Sequence, residues 1–168
     1  MVEGVRWVAP KDGVYKINSD AAIFHREKVG LGSVMRDAKG EVIAATCVKM
    51  DGGYAVDVAE ALAARHGLLI ALEAGLRRVV VETDNLKLYT YLKQKTKEVS
   101  EFGFLVADII KLSEQCDMFF ASFVRRLGNR VAHAMAKLSN SFDGLQVWVE
   151  ESPPEAISLV MDDMAKLQ

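Results

Sequence analysis

Val14–Phe24, VYKINSDAAIF, is the most telling segment of the chain. It mixes β-branched and aromatic residues with polar ones and reads as a strand, yet it carries Asp20 in its interior. A mid-strand carboxylate has to be held by something outside the strand. Val29–Arg36 and Glu41–Val48 are two further apolar-rich runs. Asp37-Ala38-Lys39-Gly40 joins them as a turn, with Gly where a positive φ is needed. The three runs make an antiparallel meander. Within the second, Gly30-Leu31-Gly32 reads as close strand packing or a bulge, because a phosphate-binding glycine loop would need a helix directly after it.

Beyond the meander the period changes. From Val56 to Leu76 good helix formers dominate, Glu60 falls in the first turns, and Gly75 is placed to stop the helix. Arg77–Asp84, RRVVVETD, reads as a short buried strand with Asp84 at its carboxyl end, followed by a short helix over Asn85–Leu92. Lys93–Lys97 is a basic loop, and Phe102–Cys116 has helical spacing. Met118–Val124 is a fifth strand, and Gly128-Asn129 opens a last helix that runs through Ser139. The order β-β-β-α-β-α-α-β-α, with both hairpins and crossovers, predicts a mixed sheet with helices on its faces. Beyond Phe142, where Trp148 and Pro153-Pro154 occur, the pattern assigns no element.

The chain of 168 residues has the usual size of one domain, and 51% apolar with 26% charged residues excludes disordered and low-complexity classes. No apolar run is long enough to span a membrane, and MVEGVRWVAP lacks the basic-then-apolar pattern of a secretory signal, so an intracellular protein with no membrane partner is expected. Whether it resides in nucleus, cytoplasm or an organelle is not encoded in these features. Cys47 and Cys116 lie 69 residues apart with no Cys/His cluster, which points to two reduced, buried thiols and away from zinc. The net charge of −2 is uneven: residues 141–168 hold six carboxylates against Lys166 alone, a net of −5, which leaves +3 for residues 1–140. The division into a body, 1–140, and an acidic extension, 141–168, follows from that asymmetry.

Three acidic residues are poorly explained by solvation: Asp20 inside a strand, Glu60 among apolar helix residues and Asp84 at a strand end. If the first and fourth strands are parallel neighbours the three converge, and carboxylates packed that closely either take up protons or hold cations. The competing reading is three dispersed surface acids out of 23. Arg125, Arg126, Arg130 and Lys137 cluster in sequence near the proposed site and would attract a backbone phosphate, or else form a solvated helix end. Asn18 and Asn129 are candidates to orient ligands or to touch a 2′-hydroxyl. His25 and His66 have no partner at motif spacing and read as ordinary histidines.

In order and spacing, INSDAAIF, VGLGSVMRDAKGEVIA, AEALAARHGLLIALEAGLRRVVVETDN and FVRRLGNRVAHAMAKL resemble the plant ribonuclease H-like domain family, a retroelement-type branch of the ribonuclease H fold. The resemblance covers residues 7–140, and Trp148 with Pro153-Pro154 is similar to that family's C-terminal extension. It implies an α/β fold with a five-stranded mixed sheet in order 3-2-1-4-5 and helices on both faces. It also implies a metal-dependent endonuclease that cuts the RNA strand of an RNA–DNA hybrid with two Mg²⁺ or Mn²⁺ ions. Asp20, Glu60 and Asp84 match the first three acidic positions of the family's site, as catalytic residues and metal ligands. The fourth position, usually Asp, is His133 in Asn129-Arg130-Val131-Ala132-His133. Imidazole suits Mn²⁺ better than Mg²⁺, so weakened Mg²⁺ activity with relative rescue by Mn²⁺ is expected. The loop before the last helix also lacks the His that many ribonucleases H carry, and an Arg is expected near the phosphate instead. The alternative reading is a weak or silent ribonuclease H fold that binds nucleic acid or, at its acidic C-terminal extension, a protein. A monomer is expected.

Overall fold

β1 (Tyr15–Phe24) is the central strand of the computed structural model, which describes residues 5–167, and it is paired on both sides. β2 (Lys28–Arg36) and β3 (Val42–Asp51) follow antiparallel, as the meander predicts. Gly40 takes φ 83° in their connecting turn, where Asp37 Oδ1 accepts from Lys39 N and Glu41 N. α1 (Val56–Glu73) crosses over to β4 (Arg78–Thr83), which lies parallel to β1. α2 (Leu86–Gln94) is capped by Asn85 and α3 (Glu101–Ser113) by Ser100, each side chain accepting from the third backbone N–H that follows. β5 (Met118–Phe123) then adds parallel to β4, and α4 (Arg130–Leu138) closes the predicted set.

Strand alternation sends the two faces of the sheet to different cores. Ile17, Met35, Val79 and Val81 pack with α1, α2 and α3, whereas Val34, Ala45 and Cys47 pack with α4 on the other side. Gly30 and Gly32 belong to that second face, and a Cβ there would run into Ser139 Oγ and the Ala136 backbone. They are packing glycines, and they let α4 lie directly on β2.

The five-stranded order is present as β3-β2-β1-β4-β5, but the sheet has six strands. β6 (Leu145–Val149) pairs antiparallel with the free side of β3, and α5 (Pro154–Ala165) returns against α4. Residues 141–167 thus form ordered structure on the body. The anchor is Arg36, which is fully buried: its guanidinium pairs with Asp163 at 2.8 Å, donates to Gly40 O and Val160 O, and stacks 3.8 Å from the Trp7 ring. Cys47 is buried, and that burial pushes its thiol up to about 11, while Cys116 is only half-buried; both are free. Among the described residues no helix is long and apolar enough to cross a membrane.

Candidate active site

β1 and β4 run parallel only as far as the Asn18–Glu82 pair. Beyond it β1 continues beside β2 alone, so a crevice opens at the carboxyl ends of two parallel strands, where α/β sheets place their ligands. Asp20 lies two residues past Asn18 on β1, and Asp84 lies two residues past Glu82, just after β4. Glu60 reaches the same crevice from the second turn of α1, and Asp20, Glu60 and Asp84 each bring an oxygen within 4.8 Å of the others. Dispersed surface acids are thereby ruled out: Asp20 and Glu60 are buried and Asp84 is half-buried.

Repulsion within the cluster is only partly relieved by the protein. Glu60 Oε1 accepts one long hydrogen bond of 3.4 Å from Ala21 N, and its buried Oε2 has no partner among the described residues. Burial, then the charges of Asp20 and Asp84, pushes the Glu60 carboxyl up to about 10. Burial and the charge of Asp20 push Asp84 up to about 6, against a smaller opposing pull from Arg126 and His133. Such a site takes up protons or divalent cations, and its all-oxygen donor set suits a hard ion such as Mg²⁺. The unpartnered Oε2 of Glu60 is the observation that makes the residues fit a cation.

His133 is brought into the group from the first turn of α4: its Nδ1 lies 2.7 Å from Asp20 Oδ2, and its side chain is 47% exposed. Arg126 lines the same cleft of about 280 Å³, together with Val56 and Asn85. Arg125 is exposed in the loop that carries Arg126, and Lys137 is exposed at the far end of α4.

The remaining candidates stand elsewhere. Asn18 and Asn129 are 2% and 1% exposed. Asn18 accepts from Trp7 Nε1 and donates to Glu82 Oε1 and Asn129 Oδ1, while Asn129 donates to Ser19 O. Their amides are engaged in a buried network beneath the crevice, and their burial keeps them from the surface where a 2′-hydroxyl would lie. Arg130 turns away toward α5, where it pairs with Asp162 and Asp163. The sequence reading missed two contributors. Asn85, besides capping α2, donates to Asp57 Oδ1 beside the cleft. Glu82 anchors the buried network, taking an ion pair from Lys16 at 3.1 Å and a hydrogen bond from Ser122 at 2.8 Å. Its signal was the strand period, since Glu82 stands to Asp84 as Asn18 stands to Asp20.

The fold has solved counterparts. The ribonuclease H1 of the halophilic archaeon Halobacterium salinarum superposes with a TM-score of 0.70 at 18% identity, covering 76% of this chain and 98% of that one. The N-terminal RNase H domain of a Mycobacterium tuberculosis protein gives 0.69 at 21% identity, over 76% and 94%. LC11-RNase H1, solved in complex with an RNA/DNA hybrid, gives 0.65 at 19% identity, over 73% and 94%. These likenesses establish a ribonuclease H-like fold. No curated protein matches the sequence. The sequence model of the reverse transcriptase-like family matches residues 18–139, a span that contains Asp20, Glu60, Asp84 and His133. With that match over most of its length and a ribonuclease H-like fold beneath it, the chain belongs to the reverse transcriptase-like family.

Proposed function

We propose that this protein hydrolyses the RNA strand of RNA–DNA hybrids, using Mg²⁺ or Mn²⁺ held by Asp20, Glu60 and Asp84. The observation that carries the reading is the convergence of three carboxylates around a buried oxygen, Glu60 Oε2, that has no partner among the described residues. The hybrid bound to LC11-RNase H1, a protein of the same fold, supports the substrate class. Divalent cations held by Asp20, Glu60 and Asp84 would supply an activated water, a clamp on the scissile phosphate and a countercharge for the departing 3′ oxygen. Water adds to phosphorus and the P–O3′ bond breaks, so the products are a 5′-phosphate and a 3′-hydroxyl.

The chain's own groups set the conditions for that step. Asp20 lies between the other two groups of the site, with Glu60 and Asp84 on one hand and His133 on the other. His133 Nδ1, 2.7 Å from Asp20 Oδ2, fixes the orientation of that carboxylate in the tautomer that donates to it, which leaves Nε2 for a ligand. Arg126, at the rim and already felt by Asp84, attracts the phosphate into the cleft, and Arg125 extends the positive rim.

A second reading, a weak or silent fold that binds hybrids, is favoured by His133 standing where the related family carries a carboxylate. One experiment separates them: cleavage of a labelled hybrid in Mg²⁺ and in Mn²⁺, with Asp20→Asn, single strands and duplexes alongside. RNA-strand cutting that is confined to the hybrid, lost in Asp20→Asn and stronger in Mn²⁺ is the expected result. A folded protein that binds the hybrid but cuts it in neither metal overturns the nuclease reading in favour of binding.

A further inference from the structure

β6 is an edge strand without the usual guards. Its sequence, Leu145-Gln146-Val147-Trp148-Val149, contains no Pro, Lys or other charge, and its pairing with β3 is regular through all five residues. Glu150 N donates to Ile43 O, so by strand alternation the N–H and C=O groups of Leu145, Val147 and Val149 point away from β3. The side chains of the same three residues are 50%, 44% and 69% exposed on one face, while Trp148 packs inward against Phe142 and the α5 side of the sheet. Free backbone groups and an alternating aliphatic row therefore lie together.

The charges around this strand say what can cover it. Asp143 precedes it and Glu150 and Glu151 follow it, all exposed. Past its end, on the α5 side of the sheet, lies a separate groove of about 480 Å³ over Ile157 and Met161, with Glu41, Glu150 and Glu151 on its wall. Nucleic acid is excluded by that sign. A second copy fits poorly: antiparallel pairing that matches all three aliphatic residues is centred on Val147, and it sets Asp143 of each copy against Glu151 of the other. A segment with basic ends meets the same acids favourably.

We propose that β6 is a docking edge for an extended segment of a partner protein, with aliphatic side chains at alternate positions and Lys or Arg at its ends. The segment adds as a seventh strand: main-chain hydrogen bonds give affinity, and the aliphatic row with its acidic ends gives specificity. β2 and β3 separate β6 from β1, so the carboxylate crevice stays open when the edge is filled. The proposal does not depend on the nuclease reading, and its test uses no activity.

The probe is a fluorescein-labelled nine-residue peptide with three valines at alternate positions, threonines between them and two lysines at each end. Its control carries glutamates in place of the lysines. Anisotropy with the whole protein should show saturable binding of the basic peptide, with Kd on the order of 10 µM, and none of the acidic one. Val147→Lys, and separately Glu150→Gln with Glu151→Gln, should each weaken it at least about tenfold with unchanged thermal melting, since all three side chains are exposed. Absence of saturable binding, or equal binding of both peptides, overturns the proposal. So does light scattering that finds a dimer dissolved by Val147→Lys, which would make a second copy the occupant.

Discussion

Glu82 and Glu60 are 3% and 6% exposed, so folding strips both of water to a similar degree, and the two surroundings could hardly differ more. Glu82 receives Lys16, Asn18 and Ser122, which together supply charge and hydrogen bonds to both its oxygens. Glu60 receives one long bond from Ala21 N and stands beside two further carboxylates. A carboxylate kept for stability is satisfied by the chain itself. One kept for chemistry is left to be satisfied by what binds.

The comparison breaks most visibly in activity. Glu60→Gln, like Asp20→Asn, should lower hybrid cleavage at least about a thousandfold, while Glu60→Gln leaves metal-free stability near pH 7 about unchanged, because the carboxyl it replaces is already held neutral there, raised to about 10 by burial and its acidic neighbours. Hybrid cleavage read beside urea unfolding checks it, and a large loss of stability in Glu60→Gln would show that its carboxyl is structural after all. Glu82→Leu should do the reverse and cost about 3–5 kcal/mol in urea, since Lys16 is left buried without its partner. Excess Mg²⁺ should not restore it.

Acid sharpens the contrast. Burial holds His66 at about 4, so its share of stability is present above the unfolded value of 6.5 and is lost as pH falls toward 4, on the order of 3 kcal/mol. Asp84 has the opposite sign: raised to about 6, it favours the folded state below the unfolded value of 3.8, and that contribution disappears as pH rises through 6. Between pH 4 and 6.5 the two oppose each other. His66→Gln should therefore flatten the acid loss and Asp84→Asn should steepen it, as measured by unfolding free energy against pH.

Mg²⁺ competes with the protons on Asp84 and Glu60, so the thermal upshift in Mg²⁺ should be larger at pH 8 than at pH 6. An upshift independent of pH would remove the cation from this cluster. The smallest effect expected is that of His133→Asp, a several-fold gain in Mg²⁺-supported cleavage relative to Mn²⁺, by restoring a hard oxygen donor beside Asp20.

Legibility in the sequence follows how local each cause is. β1–β5 and α1–α4 announce themselves through period, caps and turns, and Asp20, Glu60 and Asp84 stand out as acids at apolar positions. α5 has its own signs, Pro154 at its first turn and Ala156, Val160 and Asp163 on one buried face, but Asp163 makes sense only once Arg36 lies opposite. β6 alternates correctly, yet five residues form a strand only if β3 offers an edge, and that edge belongs to sequence a hundred positions earlier. The same non-locality misdirected the basic cluster. Proximity in sequence puts Arg130 near the site, while the carboxylates of α5 turn it away. Asn18 and Asn129 look available until the network beneath the crevice is assembled around Glu82.

The late position of β6 also shapes how the chain is made. The β2–β3 hairpin is complete by Asp51, whereas the strand that shields its outer edge begins at Leu145. At translation rates of about 5–20 residues per second the growing polypeptide leaves the ribosome with that edge bare for roughly 5–20 s. For this interval the exposed β3 backbone can pair with a neighbouring nascent chain, so a truncation ending before β6 should aggregate where the full chain does not.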